Sequence, residues 1–241
     1  HYFDGSVSAV ENGWVLDKGN WYWMDSTSNM AVNTWVQDGD KWYWVDGSGH
    51  MLRGGWHRIG GTWYYLAGSG AMATGWLNDR GSWYYLHANG KMGQAWVHDG
   101  TGWYWMDPSS GRMDAGGWRN IWGSWYYLSG SGKAVEGWMP YRGSWYYMQP
   151  GNAQMRTGWI NDGTGWFLLS TSGAMRSGGW VQDGGNWYWL DGSGMMFTGW
   201  IQSGGAWYWL DPVSGHMAVG TATTDGRTSQ FAPSGRWLGY V

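Results

Sequence analysis

Trp35-Val36-Gln37-Asp38-Gly39-Asp40-Lys41-Trp42-Tyr43-Trp44-Val45 runs directly into Asp46-Gly47-Ser48-Gly49-His50-Met51. Two short β-prone runs flank Asp38-Gly39-Asp40, and Gly and Asp at such a junction supply the positive φ that a tight reversal needs. The first string therefore reads as a β-hairpin. The second, made of Asp, Gly and Ser before a Met, reads as another turn that carries the chain onward.

The same string returns along the whole chain. Units start at Trp14, Trp35, Trp56, Trp76, Trp96, Trp118, Trp138, Trp159, Trp180 and Trp200, at spacings of 20 to 22 residues, which is a solenoid period. An aromatic cluster begins seven residues after every start, at Trp21, Trp42, Trp63, Trp83, Trp103, Trp125, Trp145, Trp166, Trp187 and Trp207. The segment between the two tryptophans is thus rigid in length, and variation is confined to the connection. From the second unit onward the distance from the Met position to the next start repeats as 5, 4, 4, which suits repeats stacked by a fixed rotation with about three hairpins per turn. The expected fold is all-β: a β-hairpin solenoid, a superhelix of stacked repeats of 20–21 residues. Residues 1–13 read as the tail of a preceding repeat, 14–220 as ten tandem aromatic hairpins, and 221–241 as a degenerate terminal repeat with Thr221 where the Trp would stand.

Composition agrees. With 45 Gly, 27 Trp and 16 Tyr against 4 Phe, the bias signals a repeat, since a disordered chain would be poor in aromatics. A net charge of -3 and a pI near 6.0 leave no basic footprint for nucleic acid or an anionic membrane. No run of 18 apolar residues predicts membrane insertion. The lack of cysteine excludes a disulfide scaffold and thiolate metal sites. The opening, which lacks an initiator Met and sits inside a repeat-like string, reads as part of a larger protein.

A lone hairpin cannot bury two aromatic rows, so stacking on neighbours must supply the core, and about half of the aromatics are assigned to core alone. The excess lies in the type, because Trp and Tyr combine electron-rich faces with polar edges. Three such faces at a junction would cage a quaternary ammonium, with a Met as a polarizable wall. The same platforms would also stack on sugar rings, and the residues alone leave both guests open.

The pattern Gly-Trp, turn, Gly-x-Trp-Tyr-Tyr/Trp, then Gly-x-Met, as in Gly75-Trp76, Trp83-Tyr84-Tyr85 and Lys91-Met92, resembles the cell-wall-binding repeat of the choline-binding protein family. The resemblance covers nearly the whole chain. It implies a secreted or cell-surface module of a Gram-positive bacterium or its phage that holds choline groups of teichoic acid and anchors an attached protein. It also implies cages built from the two Trp of one hairpin and an aromatic of the next. Carried onto this chain, these are Trp14, Trp21 and Trp44; Trp35, Trp42 and Tyr65; Trp56, Trp63 and Tyr85; and Trp76, Trp83 and Trp105. They continue with Trp96, Trp103 and Tyr127; Trp118, Trp125 and Tyr147; Trp159, Trp166 and Trp189; and Trp180, Trp187 and Trp209. Met51, Met72 and Met92 would add walls. Leu168 at a third cluster position predicts a weak junction at Trp138 and Trp145, and Ala134 removes a Met. Related repeats in glucan-binding regions keep a cell-surface polysaccharide as the alternative partner, and a purely structural spacer is the third reading. A homodimer through the end repeats is compatible with all three.

No catalytic residue, cofactor or metal site is expected. Six histidines, His1, His50, His57, His87, His98 and His216, fall at non-equivalent places, whereas a metal needs convergence. Asp38-Gly39, Asp99-Gly100, Asp162-Gly163 and Asp183-Gly184 offer one carboxylate per turn, too few oxygens for calcium, and read as hairpin turns.

Overall fold

The computed structural model describes residues 9–241. Tyr2-Phe3 and the greater part of the expected tail at 1–13 fall outside the described residues. Among these the chain forms eleven antiparallel hairpins and no helix, an all-β hairpin solenoid. Contacts divide it into two compact units, one running through Gly117 and including Leu128–Ala134, the other comprising Trp118–Tyr127 and Val135–Val241.

Register is the same from hairpin to hairpin. Trp35 pairs with Trp44, Val36 with Tyr43 and Gln37 with Trp42; Trp56 pairs with Tyr65 and Arg58 with Trp63. Side chains alternate across a strand, so the starting Trp and the first and third cluster residues share one face, here called the front. The second and fourth cluster residues lie on the back. At Arg80-Gly81 φ is +52° and +83°, the left-handed pair that a two-residue type I′ turn requires and that matches strand twist. The Trp96 and Trp159 hairpins close instead over Asp-Gly-Thr-Gly, where Asp99 Oδ1 accepts the Thr101 N–H at 2.8 Å and the Thr101 hydroxyl at 2.7 Å.

The deepest layer is aliphatic. Val45, Leu66, Leu86, Met106, Leu128, Met148, Leu169, Leu190 and Leu210, all at the fourth cluster position, are at most 2 % exposed, each contributing about 2 kcal/mol on burial. They bridge to the Met that follows, as in Leu66 with Met72 and Leu86 with Met92. That Met in turn ties its hairpin to the one before: the Met72 N–H donates to the Trp42 carbonyl at 2.7 Å, Met92 to Trp63 at 2.9 Å and Met217 to Trp187 at 2.8 Å.

The longer connections have a structural counterpart. Ahead of Trp56, Trp118 and Trp180 the added residue is Gly54, Gly116 or Gly178, with φ between +70° and +73°. Its N–H returns to the carbonyl of Ala67, Ser129 or Asp191 at 2.8–2.9 Å. A left-handed residue is needed there because the chain must bend back to cap its own hairpin. The degenerate repeat forms a hairpin from Gly220–Thr224 and Arg227–Phe231, to which Trp237–Tyr240 adds a third strand.

Candidate functional site

Within each unit the front of a hairpin receives the back of the next, so the ring that reaches a Trp pair from its neighbour is the second residue of the following cluster. Trp35 meets Tyr64 at 4.9 Å between centroids, Trp56 meets Tyr84 at 4.8 Å and Trp76 meets Tyr104 at 4.7 Å. In the other unit Trp118 meets Tyr146 at 5.0 Å, Trp159 meets Tyr188 at 4.7 Å and Trp180 meets Tyr208 at 5.0 Å. The cluster Trp on the front stays open. Trp42, Trp63, Trp83, Trp125, Trp145, Trp166, Trp187 and Trp207 are 40–46 % exposed, and Trp21 and Trp103 are half-buried.

These rings enclose recurring cavities. One of about 310 Å³ is lined by Trp56, Trp63, Tyr84 and Met92, with Ser109 and Ser110 on its rim. Another of about 310 Å³ has Trp35, Trp42 and Met72, with Ala88 and Asn89 at the rim. Trp118, Trp125, Tyr146 and Met155 line about 400 Å³ under Thr171 and Ser172. Trp180, Trp187, Tyr208 and Met217 line about 380 Å³ beside Ser234. Each is assembled from three successive repeats: two Trp from one, a Met and in three of the four a Tyr from the next, and a rim from the turn of the third. The volumes lie at the small end of ligand clefts, which span about 300–1,000 Å³.

The third wall therefore differs from the carried-over expectation. Tyr65, Tyr85, Trp105, Tyr127, Tyr147, Trp189 and Trp209 each lie against the starting Trp of their own hairpin, at 5.1–5.4 Å. Trp44 does likewise with Trp35 at 5.3 Å, and it is Tyr43 that meets Trp14, at 5.1 Å. Alternation is the reason, since a third-position side chain shares the face of its own Trp pair and points away from the preceding hairpin. The Trp138 junction likewise keeps a ring, because Phe167 stands 4.9 Å from Trp138. Leu168 instead pairs across the strands with Trp159, so the missing third-position ring belongs to the Trp159 and Trp166 junction.

Comparison with known proteins follows this geometry. A family model described as a choline-binding repeat matches residues 52–97 and 177–221. One described as a putative cell wall binding repeat matches 12–27, 33–51, 95–113, 116–134 and 157–175. CbpJ from Streptococcus pneumoniae TIGR4 is 33% identical over 93% of this chain and 92% of its own, with a TM-score of 0.73. The chain belongs to the choline-binding repeat family. Choline binding protein F from Streptococcus pneumoniae is similar at 30% identity, 93% and 91% coverage and a TM-score of 0.72. The choline-binding domain of CbpL from the same organism covers 80% of this chain and 99% of its own at 30% identity, with a TM-score of 0.56. No curated protein sequence matches.

In this choline-binding repeat protein a further contact recurs at the cages, one that the sequence reading did not assign. The starting Trp donates its indole N–H to the residue that ends, or directly follows, the first strand of the next hairpin. Trp56 reaches Asp79 Oδ2 at 3.1 Å, Trp76 reaches Asp99 at 3.0 Å, Trp138 reaches Asp162 at 2.8 Å and Trp159 reaches Asp183 at 3.0 Å. Trp14 reaches Asp38 at 3.2 Å. Ser203 substitutes beneath Trp180, at 3.2 Å. Ile59 and Tyr141 hold the position facing Trp35 and Trp118, and Tyr141 meets Trp118 ring to ring at 5.9 Å. The bond fixes the tilt of a cage wall and sets a carboxylate beside it.

Two of these carboxylates, Asp99 and Asp162, stay ionised. Burial pushes Asp162 up, but bonds from the Thr164 hydroxyl, the Trp138 indole and the Thr164 and Gly165 amides outweigh it and hold the group at about 2. The same balance of burial against Thr101 and Trp76 holds Asp99 well below the usual carboxylate range. At the rim of the Trp56 cavity the Ser109 and Ser110 hydroxyls both donate to Asp107 Oδ1, at 2.6 and 2.8 Å, and hold it at about 2. With their protons committed inward, these hydroxyls have only lone pairs left for a guest. Such a rim suits a cation and disfavours an anion.

Met72 and Met92 line two of the cavities, and Met51 packs in the cluster of Trp14 and Trp23. At the next-to-Met-free position, Ala134 makes the Met-type backbone bond to Trp103 at 2.8 Å but brings no wall. Lys133 beside it donates to the Thr101 carbonyl at 2.5 Å. Four histidines pack edge-on against rings, for example His50 on Tyr22 at 5.3 Å, and no three His, Asp or Glu converge among the described residues.

Proposed function

We propose that each seam seats one trimethylammonium head of choline carried on teichoic acid, and that the row of seams holds the polypeptide on the surface of a Gram-positive bacterium. The observation that carries this reading is the repeated cavity of two Trp and one Met, joined by a Tyr in three of the four, with Asp79 beside the wall and Asp107 at the rim of the Trp56 cavity. Cation–π attraction contributes about 0.5–2 kcal/mol per ring, the thioether adds a polarizable contact, and the Ser109 and Ser110 hydroxyls at the Trp56 rim have their protons committed to Asp107. Residues 14–220 form the binding repeats in this reading and 221–241 the terminal one. A single cage of this openness binds weakly. Several engaged on one polymer raise retention by about 10²–10⁴ through effective concentration. In this role the module is an anchor, and any catalysis belongs to a polypeptide joined to it.

The test is a titration of intrinsic Trp fluorescence with parallel thermal melts against choline, tetramethylammonium, glycerol and dextran. Saturable quenching and a raised melting temperature with the two ammonium compounds, and none with dextran, is the expected result. A response to dextran alone would replace the cage by sugar platforms, and no response to any would leave a spacer.

A further inference from the structure

The last Trp pair, Trp200 and Trp207, faces a hairpin with none of the usual cage parts. Its second cluster position is Ser229 instead of Tyr, and Thr221 stands at the starting-Trp position of its first strand. The pair itself is built like the others: Trp200 and Trp207 lie 6.5 Å apart at 85°, against 6.5 Å and 80° for Trp118 and Trp125. The indole of Trp200 also keeps its carboxylate partner, Asp225 Oδ2 at 2.9 Å.

A single residue supplies the missing ring, while Phe231 stacks on Trp200 at 5.9 Å and 30°. Trp237 pairs with Phe231 as Met217 pairs with Leu210, and the Ala232 N–H bonds the Arg236 carbonyl as Asp211 bonds His216, both within 2.9 Å. Trp237 therefore occupies the Met position. Its ring, though, lies over the small Ser229, donating to Ser229 Oγ at 3.3 Å, in the room that a second-position Tyr would fill. It meets Trp200 at 5.6 Å and 77°, close to the 5.0 Å and 68° of Tyr208 on Trp180. Tyr240 backs it at 5.2 Å and is itself covered by the Arg227 guanidinium at 5.2 Å, so the wall is held in place. Trp207 remains 46 % exposed, against 40 % for Trp187 in its cavity, so Trp237 closes one side of the junction without plugging it.

We infer that Trp200, Trp207 and Trp237 form a terminal quaternary-ammonium site with three indole walls, created by the paired exchange of Tyr for Ser229 and Met for Trp237. The inference rests on the cage reading above. It gives the degenerate repeat a binding role in addition to capping the stack.

The test uses indole ¹H–¹⁵N correlation spectra of the whole chain during a choline titration, with the Trp237 signal assigned by its loss in Trp237→Phe. The expected result is a saturable shift of the Trp237 signal that is lost in Trp207→Leu, while the other indoles still respond. Trp207 is exposed, so that variant keeps the fold, which the unchanged remaining signals would verify. A stationary Trp237 signal beside other indoles that titrate would overturn the terminal site alone. Silence of every indole would overturn the cage reading and this inference with it.

Discussion

Trp138 and Asp162, on successive hairpins, are joined by a 2.8 Å hydrogen bond from indole N–H to carboxylate, and this bond couples the order of one repeat to the wall of its neighbour's cage. A bond to a charged acceptor is worth about 1.5–3 kcal/mol when shielded and less where water screens it. Asp162→Ala should therefore lower stability by about 1 kcal/mol in urea denaturation. It should also loosen choline at Trp145 more than at Trp187, whose partner Trp180 bonds Ser203. Equal weakening at both indoles would show that the bond does not orient the wall.

Placing the second cluster residue at the seam gives a sharp contrast between neighbours. Tyr84→Leu should weaken choline at the Trp56 and Trp63 cage by roughly 3–10-fold, the equivalent of one cation–π contact. Tyr85→Leu should leave that cage alone and act on Trp76, which Tyr85 touches at 5.2 Å. The Trp63 indole signal, followed through parallel titrations, separates the two.

Turn glycines divide by what a methyl group would meet. At Gly90, φ is +75° and an added Cβ would stand 2.2 Å from Met72 Sδ, so Gly90→Ala combines backbone strain with overpacking and should cost about 2–4 kcal/mol. It should also disturb the Trp35 and Trp42 cavity, which Met72 lines. Gly81 has φ of +83° with open space around it, so Gly81→Ala should cost about 1 kcal/mol and leave binding intact. Chemical denaturation with a choline titration checks both.

Acid should loosen the fold through the same carboxylates. Asp162 and Asp107 titrate at about 2 in the folded chain against an ordinary 3.8. A depressed folded value means that their stabilisation is complete above about pH 4 to 5 and is lost as pH falls towards 2. The melting temperature should be level at neutral pH and drop across that acid window. The drop should shrink in an Asp99→Asn, Asp107→Asn, Asp162→Asn variant that starts from a lower plateau.

Much of this was legible in the string of letters. The invariant seven-residue step from Trp35 to Trp42 fixes strand and turn length, and Gly beside Asp or Arg fixes the reversal, so the hairpins follow from local chemistry. The aromatic clusters were legible in composition, but which ring of the next hairpin faces each Trp pair was not. Alternation already puts Trp44 on the face of Trp42 and sends Tyr43 backwards to Trp14, and that rule, applied across the seam, selects Tyr64 over Tyr65. The indole bond was hidden for a different reason. Asp38 and Asp162 also serve their own turns, and their second role depends on a partner 24 residues earlier. The aliphatic row at Val45, Leu66 and Leu86 went unremarked because the aromatics beside it dominate the composition.

On the proposed reading every ligand straddles a seam, and seams such as that between Trp42 and Met72 are pinned by a backbone bond, so occupancy and mechanical continuity are coupled. A tether loaded from one end would peel hairpin by hairpin, and each step would have to eject a guest before the next could begin. Between steps an emptied seam can close and refill. The grip would thus yield in instalments under shear and recover in slack, as a row of sacrificial fasteners does, where a single tight pocket would hold until it failed at once.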